Sequence, residues 1–314
     1  MWAKQKQSGF TIVELLIVIV VIGILAAITI VAYNGIQNRA KVAALQSDLG
    51  SAKKILEKFK IDNAATSNSE IYPSTQAAAV TAGLKASNGN SITQYIVANG
   101  TSVSNFCVTF TNGSTDYSIT STSSGPIAGT CITNYIYNPT IEQAVPVSWI
   151  PNNASSTIET STVRAYSGTR SVLVKSLNTT NTYSGARIPL QSLTANQPYV
   201  LSAWVYLPAA YGSGIGATIN GTAITTGTTL QGPLVSVIGS WQRAVLSFTA
   251  NNNGIANFYV VTSSGSSGAA SASFHFDAAM LTAGTDTYTY ADGDSPGWFW
   301  TGEPNNSTSV GPSL

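Results

Sequence analysis

Residues 8–28 read SGFTIVELLIVIVVIGILAAI. From Leu15 to Ala32 the chain is apolar, interrupted only by Gly23 and Thr29. As a helix, at about 1.5 Å per residue, this run reaches about 27 Å, close to the thickness of a hydrocarbon core. Lys4 and Lys6 precede it and, by the positive-inside rule, keep residues 1–9 in the cytoplasm and the bulk of the chain outside. A secretory signal peptide has a shorter apolar region followed by small residues. Here the small residues, Ser8 and Gly9, come before the run. Glu14 stands just inside it. An acid at a helix centre costs about 2.5–3.5 kcal/mol on insertion scales, while each Leu, Ile, Val or Phe returns about 0.3–0.6, so insertion survives. The span alone does not explain Glu14. An acid in a first turn suits the positive end of a helix. If the chain is cut just before Phe10, a free amine lies one turn from Glu14.

Gly9-Phe10-Thr11-Ile12-Val13-Glu14, after a short basic leader and before a long apolar helix, closely resembles the class III signal of type IV pilins and pseudopilins. The resemblance covers residues 1–62 and extends to about 137. It implies cleavage between Gly9 and Phe10 by a prepilin peptidase, N-methylation of Phe10, and neutralisation by Glu14 of a neighbouring subunit's amine as a filament grows on an inner-membrane assembly platform. Many major pilins carry a proline midway along this helix, where this sequence has only Gly23.

Ile36, Val42, Leu45, Leu49, Ala52, Ile55, Leu56 and Phe59 recur at three and four, so the helix continues beyond the membrane until Asp62-Asn63 stops it. Its outer half is amphipathic and needs a cover, which a small sheet supplies. Strands are expected at Ser91–Ala98, Asn105–Thr111 and Tyr117–Thr122, with a hairpin turn at Asn112-Gly113. Cys107 and Cys131 are the only cysteines. In an exported chain the default is one disulfide, worth about 3 kcal/mol for a loop of this length. Two free thiols or a metal site are the alternatives, and a single histidine in the whole chain argues against zinc.

Only 9% of residues are charged and the net charge is +1, so nothing marks a specific nucleic-acid partner. The 44% hydrophobic content excludes a disordered chain, and the Ser/Thr/Asn-rich polar share fits an extracellular all-β protein.

From Asn138 onward there are enough residues for a second domain. Strand-like runs recur at Ser171–Lys175, Tyr199–Leu207, Gln242–Thr249, Phe258–Thr262 and Ser273–Met280, without a helical period. In order come Asn138-Pro139 with Glu142, Tyr166-Ser167-Gly168, Tyr199 to Tyr206, Gly239-Ser240-Trp241, and Phe274-His275-Phe276-Asp277. Together these resemble carbohydrate-binding modules of the jelly-roll class over residues 138–284. That resemblance implies a β-sandwich, often with one structural calcium ion, and its usual acidic ligands match Glu142 and Asp277. Oxygen ligands suit calcium.

The expected fold class is therefore α+β. A leader (1–9) precedes a long helix (10–62, with the membrane or filament core at 10–33). A small antiparallel head (63–137), an all-β jelly-roll sandwich (138–284) and a turn-rich aromatic tail (285–314) follow. On strand Tyr199–Leu207, Leu201, Ala203, Val205 and Leu207 share a core face, while Trp204 and Tyr206 share the other. Trp204, Tyr206 and His275, with Trp298 and Trp300 of the tail, are the candidate glycan-binding residues. Asp292 and Asp294 read as turn residues. No acidic pair sits within a strand pattern, so an enzyme is not expected. The expected function is a structural subunit of a type IV pilus or related filament, polymerised through its N-terminal helices. It begins in the cytoplasmic membrane and ends in an extracellular filament whose sandwich meets a surface glycan. The alternative is a minor pseudopilin of a secretion or DNA-uptake machine, with the sandwich as a spacer or protein-interaction domain.

Overall fold

The computed structural model describes residues 11–67, 70–87, 89–100, 103–142, 148–154, 156–177, 184–189, 193–209, 214–221, 224, 229–251, 254–262 and 272–313. A proline-free helix, α1 (Ile12–Ser67), opens the fold and would measure about 84 Å. It runs five residues past the stop expected at Asp62. Thr11 and Glu14 close its first turn as a capping box: Thr11 N and Oγ1 each donate to Glu14 Oε2 at 2.8 Å, and Glu14 N donates to Thr11 Oγ1 at 3.2 Å. Every side chain from 11 to 40 is exposed. Beyond that, Leu45, Leu49, Ala52 and Leu56 form one buried stripe.

The head is built on that stripe. A short helix, α2 (Gln76–Thr81), is capped by Thr75, whose hydroxyl accepts from Ala78 N. Strands β1 (Ser91–Asn99), β2 (Ser104–Asn112), β3 (Thr115–Thr120) and β4 (Ile127–Ala128) pair antiparallel in sequence order. The β2–β3 turn places Gly113 at φ +65°, a conformation that glycine adopts freely. Phe106, Val108 and Phe110 of β2 pack on the helix with Tyr72 and Ile119. Cys107 points to the other face and bonds to Cys131 of β5 (Cys131–Asn134).

After β5 the chain leaves the head and builds two five-stranded antiparallel sheets. Their strands are β6 (Ile150–Pro151), β7 (Ser156–Ser161), β8 (Ser171–Ser176), β9 (Gly185–Pro189), β10 (Pro198–Tyr206), β11 (Ile215–Gly221), β12 (Thr229–Gln231), β13 (Trp241–Thr249), β14 (Ala256–Thr262) and β15 (Ser273–Ala283). The first sheet has the order β13-β10-β15-β8-β7 and the second β12-β11-β14-β9-β6. Alternation drives the packing: Leu201, Ala203 and Val205 meet Phe274, Phe276, Ala217, Ile219, Phe258 and Val260 in one core. Trp149 fills its centre, edge-on to Phe258 and Phe276. In β15 the pairing with β10 slips opposite Ser202–Trp204, and Ala278 takes φ +50°.

Residues 285–313 are not a tail. β16 (Phe299–Trp300) and β17 (Ser309–Pro312) return to the head and make a three-stranded sheet with β5, in the order β16-β17-β5. Phe299 and Val310 cover the face of the head sheet opposite α1, together with Ala98 and the disulfide. The sandwich is thus an insertion within the head, and the head is completed by the end of the chain.

Candidate functional site

Gly9 and Phe10 lie outside the described residues. Glu14 is placed one turn into α1, where its carboxylate already serves the Thr11 cap.

On the first sheet, Trp204, Tyr206 and His275 do face away from the core, but a strap of residues 162–170 covers them. Tyr166 stacks on Trp204, with ring centroids 4.0 Å apart and planes 12° apart. The Arg164 guanidinium lies 4.2 Å over the Tyr206 ring. His275 is buried, pairs through Nδ1 with Ser171 Oγ at 3.1 Å, and has its pKa lowered by burial and by Arg164. Ser171 is itself buried and donates to the Arg164 carbonyl, so this serine–histidine contact secures the strap. The open sugar platform expected from these three residues is corrected. They hold a covering loop. Trp298 and Trp300 are not open to solvent as a tail would leave them, being 2% and 8% exposed, and both edge a cavity of about 380 Å³ with Asn105, Thr122 and Glu303. Trp298 packs on Ile132, Met280 and Ala291 at the junction of head and sandwich. Trp300 donates its indole N–H to Asp294 Oδ1 at 3.0 Å. Asp292 and Asp294 stabilise the turn there, Asp292 accepting from Asp294 N and Ser295 Oγ.

Glu142 and Asp277 both grip the strap. Glu142 Oε1 accepts from Thr169 N at 2.7 Å and Arg170 N at 3.1 Å. Asp277 Oδ2 accepts from Tyr166 N at 2.7 Å and Ser167 N at 3.0 Å. Burial nevertheless pushes Asp277 up to about 7, against the pull of its three backbone N–H donors, and the Glu142 charge adds to the rise. Among the described residues neither carboxylate has a cationic partner. Asn138 Oδ1, on the segment that leads to Glu142, is buried without a hydrogen-bond partner. Asp277 in β15 and Glu142 on the segment after β5 thus grip one strap from separate elements, and oxygen donors of this kind suit a hard cation such as calcium.

The outer face of the second sheet escaped the sequence reading. Register sets the row Arg187–Tyr259–Thr218–Gln231 across β9, β14, β11 and β12, and beside it Pro189–Asn257–Asn220–Thr229. All alternate with core residues, so they face outward. A cavity of about 130 Å³ opens on this face, lined by Asn152, Thr218, Asn220, Thr229, Tyr259 and Val261. Thr218 is 1% exposed and, among the described residues, its hydroxyl has no hydrogen-bond partner. The one usable signal was Tyr259, an aromatic at an outward position of an expected strand.

With this geometry in view, comparison with known proteins assigns each part. The prokaryotic N-terminal methylation motif matches residues 4–30, and the carbohydrate binding domain family CBM_4_9 matches residues 133–270. The type IV wide pilus major component PilA4 of Thermus thermophilus is 40% identical over 104 residues, 33% of this chain and 72% of that protein. The chain belongs to the type IV pilin family. The type II secretion system core protein G of Pseudomonas aeruginosa is 37% identical over 73 residues, 23% of this chain and 47% of that protein. The chain thus spans about half the length of the core protein G relatives it matches. Among solved structures, the CBM22-1 xylan-binding domain of Paenibacillus barcinonensis Xyn10C is 14% identical with a TM-score of 0.37, over 51% of this chain and 97% of that one. This pilin-type or pseudopilin subunit therefore carries a carbohydrate-binding-type domain, set within its head. The methylation motif and the apolar helix fit a membrane-anchored precursor of an extracellular filament.

Proposed function

We propose that this pilin is a filament subunit that presents a glycan-binding sandwich on the cell surface, and that the outer face of the second sheet is the binding surface. The observation that carries the reading is the Tyr259 cavity. An amphipathic ring beside amide and hydroxyl groups, with a desolvated Thr218 hydroxyl that needs a partner, is the arrangement a sugar ring satisfies. The sandwich has no catalytic role in this reading. Prepilin peptidase cleaves between Gly9 and Phe10, Phe10 is N-methylated, and Glu14 meets the amine of the next subunit as helices join on the assembly platform. One calcium ion held by Glu142 and Asp277 fixes the strap. A glycan array probed with the full-length protein in detergent, alongside Tyr259→Ala, tests the proposal. Binding that the substitution abolishes supports it. Failure to bind any glycan, on the array and by saturation-transfer NMR, leaves the sandwich as a spacer and overturns it.

A further inference from the structure

We infer that the cavity takes one neutral pyranose unit and not a run of linked sugars. This rests on the reading that the sandwich binds carbohydrate. Three observations define the ligand. The first is ring count. Among the described residues, Tyr259 is the sole aromatic side chain of the two outward rows and the only one lining the cavity. A linear chain of sugars needs a succession of flat apolar surfaces, because each pyranose face buries its C–H groups against a ring. One ring seats one unit.

The second is size. The cavity holds about 130 Å³, below the few hundred Å³ of a site for a larger ligand. The third is charge. Among the described residues, no charged side chain lines it. Arg187, the cross-strand neighbour of Tyr259 and the one cation of these rows, donates from Nη1 to the neutral Asn257 Oδ1 at 3.1 Å. The lining offers amides and hydroxyls, which donate and accept as sugar hydroxyls do. Asn220 Nδ2 donates to Thr229 Oγ1 at 2.9 Å, which holds both groups at the rim. The buried Thr218 hydroxyl, without a partner of its own, is the group a ligand hydroxyl meets.

One stacked ring and a few hydrogen bonds give an affinity on the order of 1 mM per site. A filament that repeats the site offsets that weakness by engaging many copies at once.

Saturation-transfer NMR on the full-length protein in detergent micelles tests this. The probes are the methyl glycosides of glucose, galactose, mannose and xylose, the matching linear hexasaccharides, and glucuronate. At least one methyl glycoside should bind, its hexasaccharide should agree within about threefold, and glucuronate should bind at least tenfold more weakly. Thr218→Val, which keeps the side-chain shape, should weaken binding about tenfold, the worth of one well-placed hydrogen bond. A tenfold gain with chain length, or a preference for glucuronate, overturns the single neutral unit while leaving a glycan-binding sandwich in place. Silence from every probe overturns both.

Discussion

Asn134 of the head holds Leu281 of the sandwich by its backbone. Leu281 N–H donates to Asn134 Oδ1 at 3.2 Å, and the neighbouring Tyr135 N–H donates to the Leu281 carbonyl at 3.0 Å. Asn134 Nδ2 donates to the Ala279 carbonyl at 3.1 Å, and its oxygen also accepts from Ile136 N. A side chain here does the work of a strand, joining two domains without a slack linker. Asn134→Ala leaves buried backbone groups of β15 and Ile136 unpaired and should cost about 2–4 kcal/mol. A lowered melting temperature, with faster proteolysis near residue 135, is the expected outcome.

The return of the chain end makes Val310 a head residue, though it lies 177 positions beyond Thr133, its partner in β5. It is 1% exposed and packs near the disulfide. Val310→Asp buries an unpaired charge and should destabilise the head by at least about 3 kcal/mol. Limited proteolysis should then show early cleavage within residues 90–130 while the sandwich stays resistant.

Trp204→Ala separates the two faces of the sandwich. Removing the ring beneath Tyr166 should loosen the strap and lower stability by about 2–3 kcal/mol. Sugar binding on the second sheet should be unchanged. Loss of binding with no loss of stability would return the platform to the first sheet.

Calcium should raise the melting temperature, and Asp277→Asn should remove that rise. The pH dependence follows from the raised Asp277 value. Without metal, the native state keeps a proton that the unfolded chain has released. Stability should therefore fall as pH rises from the ordinary 3.8 through about 7 and stay low above it. Calcium takes the place of the proton, so its stabilising effect should be larger at pH 8 than at pH 5. Thermal melts at the two pH values, with and without chelator, check both statements.

Glu14→Val removes the cap that Thr11 shares and the acid proposed to meet the next subunit. The variant should enter the membrane at least as well as the parent, since a costly carboxylate is gone. It should be missing from sheared filaments. Equal amounts of both proteins in that fraction would remove the pairing role from Glu14.

Local pattern accounts for what was legible in the sequence. The helix, the three main head strands, the Asn112-Gly113 turn and the inward set Leu201, Ala203 and Val205 all follow from spacing within a few residues. What stayed hidden depends on contacts between distant positions. Nothing in Val310 records that β5 is its partner, or in Phe299 that Val310 is, so an aromatic-rich terminus read as a loose tail. Trp204 faces outward as alternation requires, but a strap from forty residues upstream roofs it. The Tyr259 cavity arises from register across four strands, and no single strand carries its signature.

The inserted topology also sets a path for tension. If a bound sugar is held fast while the filament is pulled, the load leaves the sandwich through two chain crossings and enters the head at β5 and β16, the two strands that flank β17. Three residues into β5 it reaches Cys131, where the covalent bond to Cys107 passes it to the middle of the head sheet. From there it runs through the packed core to α1. The sulfur bridge thus stands as a rivet near the point where pulling force would otherwise peel the head apart strand by strand.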